Sequence, residues 1–201
     1  MITRLTTELS WRAVVVGAAL ALCLGTSGCL NGAPSDRTSL EDYGRAPEFT
    51  GIDAWINSPP LTMASLRGKV VLVEFWTHKC INCLRTLPEV TRWYNTYKNQ
   101  GFVVVGVHTP ESESEQQTHT VQAAVEKFGI EYPVAQDNRF STWKAYDNQF
   151  WPASYLIDRQ GSIVLKHFGE GGYAETEDAI RRLLSAASDE RAYSEGQGAD
   201  P

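Results

Sequence analysis

Cys80 and Cys83, separated by Ile81 and Asn82, are the residues whose type and spacing most directly specify chemistry in this chain. Disulfide exchange asks for two sulfurs that can close a bridge, one of them an accessible thiolate and the other near enough to resolve a mixed disulfide. If the pair opens a helix, the first sulfur sits among free N–H groups at the positive end of the helix dipole, and its pKa should fall below the ordinary value of about 8.5. His78 and Lys79 add positive character just before it. One turn further on, Cys83 would lie beneath Cys80, so Cys80 is expected to attack and Cys83 to resolve. A bridge across so small a loop is a poor structural staple. The competing use of a C-x-x-C is half a zinc site. That needs four N/S ligands, no second C-x-x-C exists, and His78, His108, His119 and His167 are scattered along the chain. No metal is therefore expected, and no cofactor beyond the redox-active Cys80–Cys83 disulfide.

The elements that must position this pair are readable from periodicity. Val70–Trp76 (VVLVEFW) is a β-branched and aromatic run, the mark of a strand buried on both faces. From Cys83 to Gln100 the residues Leu84, Leu87, Val90, Tyr94 and Tyr97 recur at helical spacing, with Gly101 as the C-cap and Pro88 inside. Phe102–Val107 reads as a second buried strand, and Val121, Ala124, Val125 and Phe128 as one face of a helix closed by Gly129. Tyr132–Ala135 reads as a short strand and Phe140–Tyr146 as a short helix. Ser154–Asp158 and Ser162–Phe168 flank a turn and form an antiparallel hairpin. A last helix carries Ile180, Leu183, Leu184 and Ala187. Parallel strand–helix units with an antiparallel end give an α/β fold with a mixed central sheet and helices on both faces. Alternation along the first strand puts Val70, Leu72, Glu74 and Trp76 on one face. A carboxyl in so apolar a strand is costly as an ion, so the Glu74 pKa should rise, and the group can then exchange a proton with Cys83.

The ends differ from the body. Arg4 and Arg12 precede or border the apolar run Ala13–Leu24, which is too short for a membrane span of about 20 residues and matches an export signal. Residues 1–28 are expected to be a signal peptide, 29–45 a polar tether, 46–187 the folded domain and 188–201 a disordered tail. Of the four cysteines, Cys23 lies within the signal, so only Cys80 and Cys83 fall in the folded part. The chain has 201 residues and a net charge of −6, with no Lys/Arg-rich run, which argues against nucleic acid as a partner.

Ser27-Gly28-Cys29 resembles the cleavage region of a bacterial lipoprotein signal, although Thr26 stands where that family usually has Leu. The resemblance implies a lipid on Cys29, attachment to the cell membrane and an extracytoplasmic location; cleavage by an ordinary signal peptidase, with Cys29 incidental, would give a secreted protein instead. Phe75-Trp76-Thr77-His78-Lys79-Cys80-Ile81-Asn82-Cys83, with Pro88 beyond, resembles the active-site signature of thioredoxins. Ala46–Trp76 resembles the leading segment of TlpA-like exported thioredoxins. Thr91–Tyr94, Gly106–Glu111, Tyr132–Asn138 and His167–Tyr173 look like the thioredoxin part of DipZ-type proteins. The resemblance implies a thioredoxin-like three-layer sandwich with an insertion after the second strand. It also implies exchange with protein disulfide or dithiol substrates and an upstream electron-transfer partner in the membrane. The family carries an acidic residue at the position of Glu74, and a cis-proline at the position of Pro152 whose neighbouring backbone pairs with substrate. Trp76 and Trp151 are candidates for an apolar rim of the substrate site. Ile81-Asn82 replaces the common Gly-Pro, and Lys79 stands where tryptophan is frequent.

Two other functions compete. Thr77-x-x-Cys80 matches part of a thiol-peroxidase pattern, although Val73 stands where that pattern has proline. A copper-carrying lipoprotein would use Cys80, Cys83 and a histidine. The direction of electron flow is open, because reducing and oxidising members of such families differ by about 150 mV with the same motif.

Overall fold

The computed structural model describes residues 40–197, with side chains through residue 186. These fall within the unit Asp36–Pro201. The signal-peptide and lipidation readings, Cys29 included, lie outside the described residues.

Chain order is β1 (Ala54–Ile56), β2 (Val70–Trp76), α1 (Ile81–Tyr97), β3 (Phe102–His108), α2 (Thr118–Lys127), β4 (Val134–Gln136), α3 (Ser141–Ala145), β5 (Ala153–Ile157), β6 (Ile163–Phe168) and α4 (Tyr173–Gln197). Short 3-10 turns follow α1 at Lys98–Gln100 and precede α2 at Glu113–Glu115. The six strands lie in the order β1-β4-β3-β2-β5-β6. β2, β3 and β4 are parallel, β5 runs antiparallel to β2, and β6 antiparallel to β5. β1 adds an antiparallel strand to β4, pairing Ala54 with Gln136. The mixed α/β sheet expected from the sequence is thus present.

β2 occupies the middle of the sheet because every one of its residues is apolar or buried; all seven are shielded from solvent. Val70, Leu72 and Trp76 face a core shared with Leu87, Val90 and Trp93 of α1, Val121 and Val125 of α2, and Ala179, Ile180 and Leu184 of α4. Val71, Val73 and Phe75 face a second core with Trp143, Tyr146, Tyr155 and the segment containing Phe49, Met63 and Leu66. Each fully buried Val, Leu or Phe side chain contributes about 1.5–3 kcal/mol relative to exposure. The central strand therefore anchors both layers.

Gly101 adopts φ 90° and ends the helical run after α1, the left-handed conformation that a glycine cap permits. Gly106 is required for a different reason. It stands beside Glu74 in the parallel register, and a Cβ there would lie 3.0 Å from both Trp76 Nε1 and Tyr132 Cε2.

The folded body begins before the expected boundary at Ala46. Glu41 and Tyr43 donate backbone hydrogen bonds to Val164 and Ile163 of β6, so the last residues assigned to the tether run along an otherwise open sheet edge. α4 likewise continues past Ala187 to Gln197. No helix among the described residues is long and apolar enough to cross a membrane.

Candidate active site

Cys80 follows the end of β2 and is the N-cap residue of α1, with φ −71° and ψ 114°. An N-cap side chain faces the free N–H groups of the first turn. Here the Cys83 backbone N–H donates to Cys80 Sγ at 3.4 Å, and the Leu84 N–H donates to the Cys80 carbonyl at 3.0 Å. The sulfur thus stands at the positive end of the α1 dipole. Cys80 is half-buried, whereas Cys83 is 1% exposed within the core beneath it; both are free thiols. Burial pushes the Cys83 thiol well up, and the adjoining Cys80 sulfur adds to the rise. A hydrogen bond from the Thr77 backbone opposes it, and the Glu74 carboxylate reinforces it. One sulfur is reachable and the other holds its proton.

Glu74 is 1% exposed in the middle of β2, and burial raises its carboxyl well above the ordinary 4.5. Its charge registers at Cys83 and also at the buried Tyr132 phenol. The physical expectation from strand alternation holds: the carboxyl lies on the α1 side of the sheet.

The Trp151–Pro152 bond is cis. Pro152 is buried, Trp151 half-buried. Asp137 accepts from the backbone N–H groups of Ser141 and Trp143, each at 2.8 Å, and so fixes the start of α3. Trp143 then packs on Trp151 with ring centroids 4.0 Å apart, and Trp151 Nε1 donates to the Thr109 carbonyl at 3.0 Å.

Trp76 corrects the sequence reading. It is fully buried in the core, edge-on to His108 at 5.1 Å, and offers no surface to a substrate. The alternation that assigned Glu74 inward puts Trp76 inward too, and that outweighs its position next to the dithiol loop. The exposed apolar side chain beside the sulfurs is Ile81 instead, at 59%.

The sequence treated the histidines as scattered, yet two of them meet. β2 and β3 run in parallel with Trp76 beside His108, so the residues after both strands converge. His78 Nδ1 lies 2.9 Å from His108 Nε2, with the rings nearly parallel at 18°. Burial lowers the His108 pKa to about 3, and the neighbouring His78 adds to that shift. Burial also lowers His78, opposed by the Glu115 carboxylate. Glu115 was not singled out by sequence. It is 1% exposed and accepts hydrogen bonds from Thr77 Oγ1 and, at 2.8 Å, from Ser112 Oγ. The Thr77 hydroxyl of the peroxidase-like T-x-x-C is therefore committed to Glu115.

Fold and dithiol together define a thioredoxin-like domain with a C-x-x-C at the start of α1. The chain belongs to the AhpC/TSA family, whose pattern it matches over residues 44–166. It is 46% identical over 164 residues to protein DipZ of Mycobacterium tuberculosis, covering 80% of this chain and 23% of that protein. Thiol-disulfide oxidoreductase YkuV of Bacillus subtilis is 31% identical over 141 residues, covering 69% of this chain and 93% of YkuV. The crystal structure of a thiol-disulfide isomerase from Corynebacterium glutamicum superposes with TM-score 0.63 at 28% identity, covering 70% of this chain and 97% of that one. The chain spans only about a quarter of the length of the DipZ proteins it matches, 23%.

Proposed function

We propose that this protein exchanges disulfides with protein substrates outside the cytoplasm, with Cys80 as nucleophile and Cys83 as resolving thiol. The observation that carries this reading is the N-cap position of Cys80, whose sulfur accepts the Cys83 N–H while Cys83 itself is buried.

In the reducing direction the Cys80 thiolate attacks one sulfur of a substrate disulfide. A Cys80–substrate disulfide forms and the first substrate thiolate leaves. Cys83 gives its proton to the ionised Glu74 carboxylate and attacks Cys80 Sγ. The Cys80–Cys83 bridge forms, the second substrate thiolate leaves, and two electrons have passed to the substrate. The reverse sequence oxidises a dithiol. A membrane dithiol donor is the partner proposed to restore the reduced pair in the first case. Trp151 and Pro152, at the cis bond before β5, are the proposed substrate-binding residues, and Ile81 joins them in place of Trp76. An extracytoplasmic place follows from the export signal, and a lipid on Cys29 would hold the protein at the membrane. Labelling with a fatty-acid probe that is lost in Cys29→Ser tests the anchor.

Insulin reduction in the presence of a dithiol reductant, run beside hydrogen peroxide consumption, tests the activity. Accelerated insulin reduction that is abolished by Cys80→Ser is expected. Peroxide turnover without disulfide exchange would overturn the reading in favour of a thiol peroxidase.

A further inference from the structure

Residues placed just beyond the carboxyl ends of adjacent parallel strands converge in one crevice, the usual place for a ligand in an open α/β sheet. Here the carboxyl ends of β2 and β3 gather three side chains of types that can ligate a metal. His78 arrives from the loop after β2, His108 from the last position of β3, and Glu115 from the 3-10 turn Glu113–Glu115. One donor atom from each lies within 4.8 Å of the others. Neither cysteine belongs to this group.

The charge balance at Glu115 is the second observation. The carboxyl is 1% exposed, and its hydrogen-bond partners, Thr77 and Ser112, are neutral hydroxyls. Among the described residues, no Lys or Arg forms an ion pair with it. Lys79, the nearest cation in sequence to His78, turns to Ser114 Oγ at 2.6 Å. Buried carboxylates are normally matched by a cation or coordinate a metal. The two hydroxyl bonds orient the carboxylate as second partners orient metal ligands.

We propose that His78, His108 and Glu115 bind a single divalent transition-metal ion of the zinc class. Two imidazoles and a carboxylate are a known zinc donor set, with a fourth position left for solvent. His78 and His108 nitrogens 2.9 Å apart need to open only to about 3.3 Å to subtend a tetrahedral angle at zinc–nitrogen distances near 2.0–2.1 Å. His78 is half-buried and flanks the solvent side, so it is free to make that adjustment. A bound ion would tie the Thr77–Lys79 loop to β3 immediately before the reactive cysteine.

The test is calorimetric titration of the full chain with zinc chloride while the Cys80–Cys83 disulfide is formed, so that neither sulfur can act as a ligand. This isolates the site from the exchange activity, whose failure would leave the titration unaffected. One zinc per chain at micromolar affinity or tighter is expected, weakened roughly tenfold or more by His78→Ala and by Glu115→Gln. His78→Ala changes a half-buried loop residue and decides the matter even if Glu115→Gln unfolds. Absence of stoichiometric zinc binding to the oxidised chain, or full affinity retained in His78→Ala, overturns the proposal.

Discussion

The backbone N–H of Cys83 points at the sulfur of Cys80 across 3.4 Å, joining the two halves of the dithiol through the first turn of α1. The same turn that exposes one sulfur to solvent carries the other into the core. The attacking and resolving roles proposed for the two sulfurs thus rest on a single helix start.

Glu74→Gln should raise stability at neutral pH. The native carboxyl titrates above 4.5, so the folded state binds more protons than the unfolded state once pH passes that value. Stability contributed by this group is complete below 4.5 and declines as pH rises, by up to about 1.4 kcal/mol per pH unit until the native carboxyl ionises. Urea denaturation of both proteins from pH 4 to 8 should show the variant's advantage growing with pH. A pH-independent difference would contradict the buried-acid account. If Glu74 takes the Cys83 proton, the variant should also resolve mixed disulfides more slowly.

Arg92→Ala should show the opposite pH trend. Arg92 binds Glu177 of α4 through two hydrogen bonds, at 2.8 and 2.7 Å, which hold the Glu177 carboxyl down at about 2. That stability is present above the ordinary carboxylate value of 4.5 and is lost as pH falls toward 2. With the Arg92 side chain 45% exposed, the loss at pH 7 should be about 0.5–1 kcal/mol. Denaturation midpoints should converge with the parent as the medium is acidified; a constant gap would show that packing, not charge, is what the substitution removes.

Gly106→Ala should destabilise the domain by about 1–3 kcal/mol through overpacking. The added methyl would press on the Trp76 and Tyr132 rings at 3.0 Å, and both belong to the fully buried core. Thermal denaturation checks this, and a neutral result would mean that the rings can shift.

Much of this arrangement was legible in the sequence because it rests on local patterns. Val70–Trp76 coincides with β2, and the hairpin, the capping Gly101 and the buried Glu74 follow from alternation and turn chemistry. What escaped depends on long-range register. β1 is three residues long and exists through its pairing with β4. The fourth strand starts two residues later than its apolar run suggests, because Gly106, Val107 and His108 select Val134, Ala135 and Gln136 as partners. The His78–His108–Glu115 cluster joins residues that no spacing rule connects, and it appears once β2 and β3 are set side by side with Trp76 opposite His108. Reading both parallel strands to their carboxyl ends was the available signal. Trp76 was drawn to the rim by its nearness to Cys80, although its parity along β2 already placed it with Val70 and Leu72.

Peptide mapping of trapped substrate complexes is the most direct measurement of the division of labour between the two sulfurs. Cys83→Ser should accumulate mixed disulfides bonded through Cys80, and Cys80→Ser should accumulate none. Complexes bonded through Cys83 in the Cys80→Ser protein, with none in Cys83→Ser, would contradict it.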